Sequence, residues 1–382
     1  MAMHRGEKDN HRISILLVST SYPAGEKDWR GRFIANIVEA IDRQEGIDLN
    51  VWAPPGLLPR DVQDVTSPTE GVWLKDLMVR GGIAHLLRTK GLGSAGMVIR
   101  LLFYLRKVFM RSTDVDILHI NWLQNAMPLW GTKTPAVIAV LGSDFRLLRL
   151  RGISALLRAV LKQRRCIIAP NAGWMAPKLN SVFGDIAEIR PIPFGVDHRW
   201  FAIVRKPLES DSSRWIAVNR VTSEKIGPLF EWGQGVFGLS HEIHIIGPMQ
   251  ENVQLPDWVR YHGPASPDEL EKKWFPEATG LVSLSQHTEG RPQVILEAMA
   301  ARLPVVASNI PAHLDVIKHQ STGWIVTSPT EFRDAISLLN HPDLNARIGK
   351  AARKWVIENI GTWDDCVNRY ADAYHDLMDG NL

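Results

Sequence analysis

What restricts this chain most is a rhythm. Short apolar runs rich in β-branched residues alternate with stretches whose apolar residues recur at helical spacing. Residues 13–18 are the first such run. Phe33, Ile34, Ile37, Val38 and Ile41 follow and predict a helix over 31–43. A strand over 48–53 stops at Pro54, Pro55 and Gly56. Residues 56–78 show no period and read as a long loop. Beyond them a helix is expected over 98–110, strands over 116–121 and 136–141, a helix over 153–165 and a strand over 166–169. The second half repeats the pattern, with strands over 215–219, 242–246, 259–262, 281–285, 305–308 and 324–326. Its helices are expected over 228–239, 267–275, 293–301, 312–318, 330–339 and 363–378. Strands that are apolar along their length and separated by helices belong in parallel sheets covered on both faces. Two such series in 382 residues imply two doubly wound α/β domains. Ligands of such domains bind outside the carboxyl ends of the strands.

Composition removes several classes. With 45% hydrophobic and 22% charged residues the chain is an ordinary globular protein, neither fibrous nor disordered. Its two cysteines, Cys166 and Cys366, cannot build a disulfide framework or a four-thiolate zinc site. A net charge of +3 gives no case for a nucleic-acid partner. That average hides a split: residues 1–200 carry +9 and residues 201–382 carry −6, as two domains with different electrostatic duties would. Within the first half, residues 80–165 alone carry +12, the stretch best suited to an anionic contact. The apolar run 13–18 is too short for a secretory signal, and no window approaches the length of a membrane-spanning helix. A cytoplasmic protein is expected, one able to rest on the inner face of a membrane.

The most informative segment runs from Ser285 to Ala300. A strand ends, a loop with Gly290 and Pro292 follows, and a helix begins, so that amides and helix dipole together favour an anion. Glu289 lies before that helix and Glu297 within it. One carboxylate sits where a phosphate would bind, and the other reaches along the same ligand. Carboxylates accept paired hydrogen bonds from vicinal hydroxyls, which suits a sugar or ribose. Two glutamates at this spacing are also common as helix-charge compensation and as solvated helix residues. A second segment, Ala217 to Gly227, follows the first strand of the second series. Its Arg220 and Lys225 supply a forked donor and a point charge, a pair suited to a diphosphate, although a solvated loop would also carry them.

Arg220 and Lys225, then Glu289 and Glu297 with Glu297-Ala298-Met299-Ala300 and Pro304-Val305-Val306-Ala307, resemble the retaining glycosyltransferases of family 4. Pro193-Phe194-Gly195-Val196-Asp197, Gly142-Ser143-Asp144 and Gly323-Trp324-Ile325-Val326 extend the likeness over nearly the whole chain, most densely over 214–327. The resemblance implies a GT-B fold, two Rossmann-like doubly wound parallel-sheet domains facing an interdomain cleft. Residues 1–201 would bind the acceptor, 202–213 would be the linker and 214–361 would bind the nucleotide-sugar. The helix of 362–382 would pack back across the cleft. Carried over by position, Arg220 and Lys225 would neutralise the diphosphate and Glu289 would hold the donor sugar near its anomeric carbon. Glu297 would bind ribose, and the amides near Gly290 and Arg291 would add hydrogen bonds. Gly31, His119, Gly142 and Asp144 are the acceptor-side candidates, although His119 lies within an expected strand and reads more readily as a structural residue. The implied reaction needs neither cofactor nor metal, its partners being a nucleotide-diphosphate sugar and a glycan or lipid-linked acceptor of polysaccharide, lipopolysaccharide or glycolipid synthesis.

Three positions depart from the family pattern. Leu141 stands where many members have a histidine and offers no proton relay. Pro292 replaces a glycine and removes one amide donor, and Arg302 replaces another glycine. Asp114-Val115-Asp116 matches a metal-binding triplet of a different architecture, and one triplet is far from a coordination sphere. Two readings of the function remain beside hexosyl transfer: a nucleotide-sugar epimerase of the same fold, and a catalytically silent sugar-nucleotide-binding subunit. Residues 98–111 and 145–165 interleave Arg100, Arg106, Lys107, Arg111, Arg146, Arg149, Arg151, Arg158, Lys162, Arg164 and Arg165 with apolar residues. Such helices suit an anionic membrane surface and equally suit a domain core with solvated outer faces.

Overall fold

The computed structural model describes residues 12–25, 28, 30–82, 93, 95–142, 144–207, 212–287 and 289–380, without the side chains of Arg146 and Arg151. Ser143, Thr288 and part of the expected linker therefore lie outside the described residues.

The chain forms two compact units. The first takes the residues up to Pro170, then Ala176–Pro191, then those from Val367 on; the second takes Asn171–Met175 and Ile192–Cys366. The first unit holds strands β1 (Ile13–Val18), β2 (Ile47–Trp52), β3 (Gln63–Asp64), β4 (Ile117–Asn121), β5 (Ala136–Val140), β6 (Cys166–Pro170) and β7 (Glu188–Ile189). They pair in the order β3-β2-β1-β4-β5-β6-β7, and every pairing is parallel. The second unit holds β8 (Ser213–Val218), β9 (His241–Ile246), β10 (Val259–Tyr261), β11 (Gly280–Ser283), β12 (Val305–Ser308) and β13 (Trp324–Val326). These run parallel in the order β10-β9-β8-β11-β12-β13. The expectation of two parallel α/β sheets holds, because strands buried on both faces, such as β4, β5 and β6, admit no polar alternation.

Helices cover the sheets. In the first unit these include α1 (Arg32–Asp42), α2 (Pro68–Val79), α3 (Ala95–Arg111) and α4 (Arg151–Leu161). The second has α5 (His198–Ala202), α6 (Ser223–Ile226), α7 (Gln293–Ala300), α8 (Pro311–Leu314) and α9 (Pro342–Asn359). Helix α10 (Trp363–Asp379) starts in the second unit and continues in the first. Its Trp363 packs on Phe194, while Tyr370 and Tyr374 pack on His119 of β4.

Several expectations fail for physical reasons. The expected loop over 56–78 contains β3 and the three-turn helix α2. A capping box between Ser67 and Glu70, with Pro68 in the first turn, starts that helix, but its apolar residues lack a clean period. The expected helix over 228–239 shrinks to Leu229–Trp232, since Gly233, Gly235 and Gly238 follow at once. The units do not divide at 202–213. Val196, Trp200 and Ile203 already lie in the second unit's hydrophobic core, so the chain has joined that unit by Ile192. Arg302, at the glycine position of the family pattern, takes φ +60° just after α7, a left-handed conformation that glycine adopts without strain.

A buried carboxylate ties the α2 correction to the sheet. Glu70 is fully buried and accepts hydrogen bonds from Trp52 Nε1 at 3.0 Å, Arg111 Nη1 at 2.8 Å, Arg111 Nη2 at 2.7 Å and the Ser67 amide at 3.1 Å. Burial by itself raises its pKa, but these donors outweigh burial and bring it down from 4.5 to about 2. A depressed carboxylate contributes stability above its unfolded value and loses it as pH falls toward the folded one. Glu70→Gln is therefore expected to destabilise the first unit by about 2 kcal/mol at pH 7, the scale of breaking a buried charge network. In urea titrations the gap between wild type and variant should close as pH drops from 5 to about 2; a gap that does not change with pH would contradict this.

Candidate functional site

Both sheets reverse their winding at one internal strand pair, β1/β4 in the first unit and β8/β11 in the second. At such a switch point the connections leave in opposite directions and open a crevice beyond the carboxyl ends of the two strands. In the second unit the segments that leave there carry Arg220 and Lys225 after β8, and Glu289 after β11.

Close backbone packing sets this local geometry. Gly247 takes φ +147°, and a Cβ there would lie 1.8 Å from the Asn219 carbonyl, so the turn after β9 presses against the residue before Arg220. Thr222 caps α6 by accepting the Lys225 amide hydrogen at 3.2 Å. Gly227, at φ +55°, ends α6 where a Cβ would lie 2.0 Å from the Leu284 carbonyl. Only glycine lets the α6 turn approach β11 so closely. The Gln286 amide donates to the Glu224 carbonyl at 2.8 Å, and His287 Nδ1 lies 2.5 Å from Glu224 Oε2. The segments after β8 and after β11 are thus stitched together by main chain and side chain.

The stitching brings Lys225 to Glu289, where Nζ donates to Oε2 at 2.5 Å. Their side chains are 13% and 17% exposed, so this is a largely desolvated ion pair and not a surface contact. Arg220 stands half-buried at the end of β8, five residues before Lys225 in the same turn. Arg291 makes a different pair: Nε donates to Asp315 Oδ2 at 3.2 Å and Nη2 donates to the same oxygen. Gly290 is buried, and its carbonyl accepts from Trp174 Nε1 at 2.7 Å. Glu297 lies on α7, where the charges acting on it are Asp197 and Arg199. Its carboxyl is raised from 4.5 to about 7, first by burial and then by Asp197, against the pull of Arg199. Of the four expected donor-side residues, two are in contact, the third opens their turn, and the fourth has its own surroundings. Under them His313 of α8 is buried, its Nδ1 2.9 Å from the Ser308 carbonyl; burial lowers its pKa and keeps it neutral.

The acceptor-side expectations fare differently. Gly31 is the N-cap of α1 at φ +70°, and a Cβ there would lie 2.7 Å from the Tyr22 amide nitrogen, so the close approach is to the protein's own loop. His119 is fully buried beneath α10, with Nδ1 2.6 Å from Tyr374 Oη, and burial lowers its pKa to about 3. It is a neutral core residue that cannot meet a substrate, which corrects its place among the candidates. Asp144 is equally internal. It accepts the amides of Leu123 at 2.9 Å, Leu141 at 3.0 Å and Gly142 at 2.9 Å, and so ties the loop after β5 to the one after β4. Asp116 accepts the Ser14 amide at 2.9 Å and serves the strand ends. The sequence reading missed Asp315, Trp174 and His287, because their partners lie 24 to 141 residues away in the chain.

Residues 247–355 match the model of the family described as glycosyl transferases group 1. Over 76 residues the chain is 38% identical to glycosyltransferase 1 domain-containing protein 1 of Xenopus tropicalis. That match covers 20% of this chain and 22% of the relative, so the chain spans about a fifth of the length of that protein. The fold resembles that of sucrose-phosphate synthase from Thermosynechococcus elongatus, with a TM-score of 0.72 at 15% identity, over 97% of this chain and all of that one. It also resembles Anabaena HepE, solved in complex with UDP and glucose, with a TM-score of 0.65 at 13% identity, over 95% of this chain and all of that one. At such identities the likeness is one of fold, the GT-B architecture of two parallel α/β units.

Glu297 gives the test that this geometry generates. A carboxyl raised in the folded state contributes stability below its unfolded value and loses it as pH rises through about 7. Glu297→Gln should therefore raise the Tm of the ligand-free protein at pH 8 relative to wild type, and much less at pH 5. An equal effect at both values would show that Glu297 is ionised throughout.

Proposed function

We propose that this chain, whose residues 247–355 match the model of the glycosyl transferases of group 1, moves a sugar from a nucleotide-diphosphate sugar to a hydroxyl acceptor with retained anomeric configuration. The observation that carries this reading is the desolvated Lys225–Glu289 pair at the β8/β11 switch point, where the Rossmann-like sheet offers its ligand crevice. The UDP and glucose named with HepE, a relative in fold, support the donor class.

Charge determines the roles. In the free protein Glu289 neutralises Lys225. A bound diphosphate takes over the ammonium, with Arg220 as its second cation, and Glu289 turns its oxygens to the sugar hydroxyls. Cleavage of the bond between anomeric carbon and phosphate oxygen puts a further negative charge on the departing nucleotide. Cations already in place stabilise that charge more than they stabilise the bound donor. The acceptor hydroxyl attacks from the face of the leaving phosphate, whose oxygen receives the hydroxyl proton. Leu141 and the buried His119 fit a scheme in which no side chain takes that proton. Two fixed side-chain cations can do the work that a metal does elsewhere. Glu297, titrating near neutrality, holds ribose hydroxyls as acceptor when ionised and as donor when protonated.

The acceptor is read as a glycan or lipid-linked molecule met at an anionic membrane face. Helix α3 supports this. Its inner side is filled by Leu101, Tyr104, Leu105, Val108 and Phe109, yet Ile99, Phe103 and Met110 stand 67%, 63% and 51% exposed on the other side. Arg100 and Lys107 accompany them, and the helix has no acidic residue. Apolar side chains inserted among basic ones suit anionic lipid, each cation adding about 1 kcal/mol near the surface. Helix α4 fits less well than its sequence suggests. Arg158 is paired with Asp185, and Arg164 is buried on the Leu129 carbonyl and Thr132. Among the described residues no helix is long and apolar enough to cross a membrane.

Two outcomes test the reading. Lys225→Ala and Glu289→Ala should each lower turnover of UDP-glucose by at least about 100-fold without loss of helical circular dichroism, the scale of removing one preorganised stabilising group. Near-normal turnover in either variant refutes the assigned roles, and a thermal-shift screen across UDP-, GDP-, ADP- and dTDP-sugars identifies the base. The chain should also sediment with phosphatidylglycerol vesicles less and less as salt rises, and Phe103→Glu should abolish that binding. Salt-independent sedimentation, or none, removes the membrane-facing role.

A further inference from the structure

The segment Asn171–Met175 packs with the second unit, although the chain on both sides of it belongs to the first. Within it Trp174 makes two bonds to the surroundings of Glu289. Its indole Nε1 donates to the Gly290 carbonyl at 2.7 Å, and its main-chain amide donates to Asp315 Oδ1 at 3.0 Å. Asp315 uses its other oxygen, Oδ2, to accept Nε and Nη2 of Arg291. The bonds close a ring: Gly290 to Trp174, Trp174 to Asp315, Asp315 to Arg291, and Arg291 back to Gly290 through the peptide bond. Gly290 is buried, the Arg291 and Asp315 side chains are 9% and 13% exposed, and Trp174 is half-buried. The base of the ring is firm, since Asp315 directly follows α8, whose His313 is buried on the Ser308 carbonyl and hydroxyl. Gly173 belongs to the fit, because a Cβ there would lie 3.1 Å from Asp315 Oδ1.

We infer that Asp315 and Trp174 are positioning residues that hold the segment Glu289-Gly290-Arg291 in the geometry that presents Glu289 to a bound donor sugar. The inference rests on the proposed function and adds to it how that segment is kept in place. The reasoning is mechanical. Glu289 sits on a connection with no regular structure of its own, and among the described residues its side chain accepts from Lys225, the cation that a diphosphate would claim. Once that pair opens, the orientation of Glu289 depends on what fixes the next two residues. Gly290 and Arg291 are fixed by this ring. The ring spares a donor as well: Arg291 Nη1 is buried and has no hydrogen-bond partner among the described residues, so an oxygen of an incoming ligand can be accommodated there.

Trp174→Phe removes one N–H and keeps most of the packing, while Asp315→Asn keeps the shape and removes the charge. In both full-length variants, hydrogen–deuterium exchange of the peptide over 289–292 should rise about tenfold, with exchange in β8 and β12 unchanged. Turnover number with UDP-glucose should fall by about tenfold to 100-fold, as expected when a catalytic group is displaced by about 1 Å. Affinity for UDP alone, which lacks the sugar, should stay within about twofold, so the loss appears in kcat for the sugar and not in nucleotide binding. Unchanged exchange over 289–292 in both variants overturns the inference whatever the activity. Raised exchange with unaltered turnover overturns the positioning role. A wild-type chain that turns over no nucleotide-sugar overturns the proposed function instead, and the exchange comparison then decides the loop restraint by itself.

Discussion

The site depends on how closely the turn after β8 is pressed onto the end of β11. Gly227 makes that contact beneath the Leu284 carbonyl, and Gly247, after β9, supports the same turn from its other side beneath the Asn219 carbonyl, both at positive φ. A side chain at either place would push the α6 turn outward, and Lys225 would leave with it. The bonds of Glu224 to Gln286 and His287 then join the two segments directly. Steric permission at two backbone positions thus precedes the electrostatics, and a lysine and a glutamate 64 residues apart in the chain become neighbours.

That neighbourhood is an uneasy one electrostatically, which suits a site that exchanges partners. A desolvated ion pair gives little net stability, because losing water costs each charge about as much as their attraction returns. Under the proposed function a ligand would offer both charges better partners, phosphate for the ammonium and hydroxyls for the carboxylate. Glu297 shows the same tendency in another form, its packing being so unfavourable to charge that the carboxyl titrates near 7. Glu70 is the contrast within the same chain. Surrounded by Arg111, Trp52 and the Ser67 amide, it is satisfied, strongly acidic and structural. Burial and Asp197 set the Glu297 carboxyl, whereas donors set that of Glu70, which holds a helix to a sheet.

Legibility in the sequence varied with how local each signal is. Strands β1, β12 and β13 stand where their apolar runs predict, and α7 starts at the residue expected after Pro292. Helix α2 was hidden, because Pro68 and Gly71 broke its period while the capping box that starts it was not recognised. The 18-residue helix α9 gave no clear period either, because Gly349, two arginines and two lysines dilute its apolar stripe. Lys225 and Glu289 were legible as candidates because strand-end position and residue type coincide there, and the structure places the two in contact. Asp144, just after a strand, is used up by three backbone amides, and His119, within β4, is covered by α10 as its place inside a strand suggested.

By itself the sequence determined the alternation of buried strands with helices, hence two parallel sheets, and it supplied the cations and carboxylates of the candidate site. Those properties reside in periodicity, β-branching and residue type, each set within a few neighbours along the chain. Only the tertiary structure decided which charges face each other, which carboxyl is satisfied, and that Trp174 and Asp315 should brace a segment more than 100 residues from one of them. Partnership and burial are consequences of how distant segments pack, and no local pattern specifies them.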